Sequence, residues 1–114
     1  MMCMKEKKGL VEQPVHYRKC PQIVIGFDGG FVCAAPPVEV IFVGKRIKIS
    51  YEKVLYEGKW EENQNGNGSY KLMYYKNNRK IGEASLHLSS INVESLVGEY
   101  TEEGDKGFWK IWLK

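Results

Sequence analysis

The sequence has only three cysteines, Cys3, Cys20 and Cys33, and this odd number provides no even disulfide framework. Reduced thiols in a cytosolic compartment are the simpler expectation. Long apolar runs are absent as well: nothing approaches the roughly 18 residues that a membrane-spanning helix needs. The opening Met1-Met2-Cys3-Met4-Lys5-Glu6-Lys7-Lys8 has no apolar core of the kind a secretory signal carries. A soluble, cytoplasmic protein without membrane contact is expected. No segment shows helical periodicity over three turns, which leaves strands and turns to build the fold.

Catalytic motifs are equally scarce. There are two histidines, His16 and His87, and no nucleophile elbow, phosphate-binding loop or zinc-protease helix. Cys33 with His87 is a conceivable nucleophile–base pair, but Cys33 lies in an apolar run, where a thiol is normally inert. Glu61-Glu62 and Glu102-Glu103-Asp105 read as hairpin-loop carboxylates, too solvated for acid–base tuning. Cys3, His16, Cys20 and Cys33 are separated by 13, 4 and 13 positions, without a zinc knuckle. No enzymatic activity, metal or cofactor is expected.

What is present is a 114-residue chain, 43% hydrophobic and 27% charged, sized for one core. Seven tyrosines, four phenylalanines and three tryptophans favour strands. Residues 1–20 are polar and lysine-rich and read as a loosely ordered arm, leaving 21–114 as a single β domain. Gln22 to Phe27, Asp28-Gly29-Gly30 and Phe31 to Ala35 form a hairpin pattern, stopped by Pro36-Pro37. Ile47, Ile49 and Tyr51 alternate with Lys48 and Ser50, as in a half-buried strand. Gly82, Ala84, Leu86 and Leu88 likewise oppose Glu83, Ser85 and His87. Between Leu55 and Leu72, Asn63-Gln64-Asn65-Gly66-Asn67-Gly68 reads as a hairpin loop. That hairpin is echoed: Gly58-Lys59-Trp60 matches Gly98-Glu99-Tyr100, and Gly68 to Leu72 matches Gly107 to Ile111. The expected fold is an all-β antiparallel meander closing into a small up-and-down barrel of about eight strands. A two-layer β-sandwich is the alternative.

Tyr56-Glu57-Gly58-Lys59-Trp60 followed by Gly66-Asn67-Gly68-Ser69-Tyr70 resembles a MORN repeat, and Leu96 to Trp109 is similar to a second copy with Leu96 in place of the tyrosine. The Gly-x-Trp and Gly-x-Tyr hairpins, Ile81-Gly82-Glu83 and the terminal Gly107-Phe108-Trp109 stretch also resemble the closing strands of calycin-type barrels. They are similar, too, to the barrel that recognises cyclic dinucleotides in CBASS antiphage effectors. The first resemblance implies an interaction module and the others a ligand-binding barrel.

The net charge is +3. Basic residues gather at two turns, Lys45-Arg46 with Lys48, and Lys76 to Lys80. If both turns share one rim, Lys45, Arg46, Arg79 and Lys80 would neutralise a phosphate, while Tyr74, Tyr75 or Trp60 stacks on a base. The expected function is therefore non-enzymatic binding of a small anionic, nucleotide-like ligand. Lysines and arginines at turns also serve simply to keep loops soluble and edges unpaired. A protein–protein interaction module forming homo-oligomers is the alternative, and single-stranded nucleic-acid binding on an aromatic face is a third reading.

Overall fold

The computed structural model describes residues 14–27, 32–34, 36–62, 68–89 and 94–114. Ten strand segments lie among them: β1 (Val15–Cys20), β2 (Gln22–Gly26), β3 (Val32–Ala34), β4 (Val38–Val43), β5 (Arg46–Tyr51), β6 (Val54–Glu62), β7 (Gly68–Lys76), β8 (Arg79–Ser89), β9 (Ser95–Glu102) and β10 (Asp105–Trp112). All pair antiparallel in one sheet of order β1-β4-β5-β6-β7-β8-β9-β10-β2-β3. The described residues contain no helix.

Register shows how the segments join. Val15 faces Phe42 and Tyr17 faces Val40, while Ile23 faces Ala34 and Ile25 faces Val32. Apart from a one-residue slip near Cys20, these pairs continue a single register. β1 and β2 are thus two halves of one long strand, and β3 and β4 are halves of its hairpin partner. The breaks fall at Pro21 and Pro36-Pro37, residues that cannot donate to a ladder. There the Gln22 side chain bridges the gap, its Nε2 donating to the Pro36 carbonyl at 2.6 Å.

Counted this way, the segments form eight strands around a nearly closed barrel. β2 closes it by pairing with β10, from Gln22 opposite Ile111 to Gly26 opposite Gly107. Among the described residues, the outer edges of β1 and β3 carry no further ladder. The barrel expectation is met, as is the antiparallel pairing of the two runs that flank Asp28-Gly29-Gly30. The arm expected over 1–20 is corrected at its second half, because Val15–Cys20 belongs to the sheet. Residues 1–13, the Asp28-Gly29-Gly30 turn, Asn63 to Asn67 and Ser90 fall outside the described residues.

Alternation fills the interior. Val38, Val40, Ile47, Ile49, Leu72, Leu86, Leu96 and Ile111 are essentially inaccessible, each contributing about 1.5–3 kcal/mol by leaving water. Aromatic rings complete the packing: Trp60 meets Tyr70 at 5.2 Å, Tyr70 meets Phe42 at 5.7 Å, and Phe42 meets Tyr17 at 6.2 Å between centroids.

The echoed hairpins have a physical basis. A Cβ at Gly58 would lie 1.7 Å from the Lys71 carbonyl oxygen, and one at Gly98 would lie 1.8 Å from that of Ser85. Both glycines let neighbouring strands approach closely where the sheet curves. The registers nevertheless differ: Gly58 faces Leu72, whereas Gly98 faces Trp109, two residues short of the equivalent position.

In a meander, successive turns alternate between the two ends. The 44–45 turn, the Glu62 and Gly68 ends of β6 and β7, and the Ser89 and Ser95 ends of β8 and β9 share one end. The 52–53, 77–78 and 103–104 turns share the other. At the latter end Asn77 and Asn78 take φ of 54° and 64°, as a tight hairpin turn requires.

Candidate site at the barrel mouth

The end bearing the 52–53 and 103–104 turns opens into a cavity of about 250 Å³. Val24, Tyr51, Tyr56, Tyr100, Glu102, Glu103, Asp105 and Trp109 line it. Strand parity puts these side chains together. On β9, Leu96, Gly98, Tyr100 and Glu102 alternate inward from the sealed core to the rim. On β10, Ile111, Trp109, Gly107 and Asp105 do the same in the opposite direction.

The floor is rigid. Trp109 is buried, and its Nε1 donates to Gln22 Oε1 at 2.7 Å. Indole nitrogen only donates, so this bond fixes the orientation of the Gln22 amide and directs its Nε2 to Pro36. One buried side chain therefore holds the ring at the cavity floor and spans the proline break. Tyr56 packs against Trp109 at 5.1 Å with rings 64° apart, and against Tyr74 at 5.4 Å. Its hydroxyl donates to Glu102 Oε1 at 2.5 Å.

Burial, and then that hydrogen bond to Glu102, push the Tyr56 phenol far above its ordinary range. The Tyr51 phenol is also pushed up, first by burial and then by nearby acidic groups, Glu102 foremost. Both rings stay protonated at neutral pH. The arrangement is a set of aromatic walls under a carboxylate rim.

A second groove, of about 310 Å³, lies on the same rim and shares Glu102 and Glu103 with the cavity. Its other walls are Tyr74, Lys76, Asn77, Arg79 and Ile81.

The seven residues expected to hold an anion do not converge, because three strands, β5, β6 and β7, separate the two basic turns, and an odd number of strands places them at opposite ends. Lys45, Arg46 and Trp60 share one end, where the Trp60 backbone N–H donates to the Lys45 carbonyl at 2.7 Å. Tyr74, Tyr75, Arg79 and Lys80 are at the mouth end. Of these, Tyr74 and Arg79 line the second groove. Tyr75 is exposed on the outer surface, its hydroxyl beside the Met73 sulfur, and Lys80 pairs with Glu83 at 2.6 Å.

The other sequence-level constellations are also separated. His87 is exposed on β8, and β9, β10 and β2 intervene before β3, which carries Cys33. His16 bonds Glu39 at the surface, whereas Cys20 is buried. Cys3 lies outside the described residues, among which no cluster of three metal-binding side chains occurs. No described helix is long and apolar enough to cross a membrane.

Sequence reasoning missed Tyr51, Tyr56, Tyr100, Glu102, Asp105 and Trp109 as a group. The signal was the inward alternation of β9, which carries Glu102 to the inner side of a loop otherwise read as solvated. No protein-family model, curated protein or solved structure matches this chain.

Proposed function

We propose that this barrel is a non-enzymatic binding protein that holds a small ligand in its mouth, against Tyr51, Tyr56, Tyr100 and Trp109. The observation that carries the reading is the concave aromatic cavity on a floor fixed by the Gln22–Trp109 bond. Preformed apolar pockets with a few oriented polar groups are the usual form of small-molecule sites. Rigid walls also reduce the ordering cost of binding. The separation of the basic turns removes the argument for a joint anion site, and the nucleotide-like ligand keeps only the Tyr74–Arg79 groove as support.

The test is a nitrogen-15 NMR screen with small aromatic and aliphatic fragments of positive, zero and negative charge. Shifts concentrated at the Trp109 indole and the amides of Tyr51, Tyr56 and Tyr100 are expected. Shifts confined to the groove at Tyr74 and Arg79 would favour the anionic reading, and no response in either place would overturn both.

A second reading, self-association as an interaction module, draws on the outer face. Phe27 and Phe108 are 47% and 49% exposed and meet edge-on at 5.0 Å, near β3, whose outer edge carries no further ladder among the described residues. Sedimentation velocity across a hundredfold dilution checks it, with a monomer throughout counting against.

A further inference from the structure

The charge around the mouth points to the class of ligand. Resting on the binding reading above, we infer that the cavity selects an organic cation, an ammonium group carried on a compact apolar body. Three carboxylates, Glu102, Glu103 and Asp105, line the cavity, and among the described residues no lysine, arginine or histidine does. The remaining walls are four aromatic rings and Val24. An aromatic face attracts a cation through its quadrupole, and the attraction grows as water is excluded. An anion entering the same space would be desolvated against like charges, which opposes its binding.

The nearby cations do not reverse this balance. Lys76 and Arg79 belong to the neighbouring groove, beyond Glu102 and Glu103. Lys106 alternates outward between the inward positions Asp105 and Gly107 and is exposed. Lys53, beside Glu52 in the 52–53 turn, is exposed and does not line the cavity.

Glu102 is suited to the role. Its Oε1 accepts the Tyr56 hydroxyl, which holds the carboxylate over the aromatic floor. A carboxylate has two oxygens and about four acceptor positions, so one phenol does not exhaust it. An ammonium donor above the rings would meet a fixed acceptor with little reorganisation. The cavity, at about 250 Å³, is below the roughly 300–1,000 Å³ of drug-sized sites, which limits the ligand to a compact body.

Three probes of matched shape separate the possibilities: 2-phenylethylammonium, the neutral 2-phenylethanol and the anionic 3-phenylpropionate. Each is titrated into the full chain while the Trp109 indole resonance is followed. The cation is expected to bind at least tenfold more tightly than the alcohol, and the carboxylate most weakly of the three. Asp105→Asn and Glu103→Gln, at exposed positions, should each weaken the cation severalfold and leave the alcohol unchanged. They serve beside Glu102→Gln, which also alters the Tyr56 bond. Equal affinity for cation and alcohol, or preference for the carboxylate, overturns the charge inference while leaving the binding site standing. Silence of the indole towards all three probes overturns both.

Discussion

The Tyr56 hydroxyl reaches Glu102 directly above Gly82, and a Cβ at Gly82 would lie 2.5 Å from that hydroxyl oxygen. The absent side chain on β8 makes room for the bond between β6 and β9. Gly82→Ala should therefore destabilise the protein by about 1–3 kcal/mol, the usual cost of overpacking. Tyr56→Phe should cost about 1 kcal/mol for the lost hydrogen bond. In the Tyr56→Phe background the Gly82→Ala penalty should shrink, because the obstructing oxygen is gone. A double-mutant cycle from urea midpoints measures this, and strict additivity would mean that the hydroxyl does not limit the space.

Gln22 offers a sharper loss. Replacing it with Leu preserves bulk but strips a partner from the buried Trp109 Nε1 and from the Pro36 carbonyl. An orphaned buried polar group costs about 1–3 kcal/mol. Gln22→Leu is expected to lose about 2–4 kcal/mol, with two such groups affected and the carbonyl reachable by water. Denaturant unfolding followed by tryptophan fluorescence gives the value, and a loss below about 0.5 kcal/mol, that of an ordinary surface change, would contradict the bridging role.

Alkaline pH should unfold the barrel through Tyr56. Its folded-state pKa is raised above the unfolded value by burial and by the Glu102 bond. The stabilising proton is retained in the folded chain after the unfolded chain has released its own. Stability from this group is complete below about pH 10 and declines as pH rises further towards the folded pKa. Melting temperatures between pH 8 and pH 11 should fall at the alkaline end, less steeply in Tyr56→Phe. Tyr51 and Tyr70, also raised by burial, sustain part of the slope in that variant.

Two glycines should respond very differently to alanine. At Gly98 the new Cβ would collide with backbone atoms of Ser85 and Leu86, which cannot swing aside. At Gly104, with φ of +90°, it would meet nothing within 4 Å and incur only backbone strain. Gly98→Ala should cost more than about 3 kcal/mol and Gly104→Ala about 1–2 kcal/mol. Comparable thermal midpoints for the two variants would show that β8 and β9 are less closely apposed at this point.

The architecture was legible where local chemistry and alternation agree. Ile47 and Ile49 face inward as their spacing requires, and Asn77-Asn78 form the turn their tolerance of positive φ permits. The prolines misled: Pro21 and Pro36-Pro37 read as boundaries, yet the register passes through them because Gln22, 14 residues from Pro36, supplies the missing donor. Such a side-chain repair depends on tertiary proximity and has no local signature. The basic turns erred differently, since counting the turns between Arg46 and Arg79 shows that they fall at opposite ends. Glu102 was hidden by composition, its acidic neighbours marking a solvated loop while its parity with Tyr100 pointed it inward.

Closure of the barrel by β2 and β10 also has a temporal side. Gln22 and Trp109, which join that seam, are 87 residues apart in the chain. Without β10, the sheet would leave the facing edges of β9 and β2 unpaired, and long-range pairing of this kind is intrinsically slow. The same hairpin that completes the sheet withdraws those margins from contact with other unfinished copies. The chain is thus most exposed to mispairing until β10 is available to pair with β2.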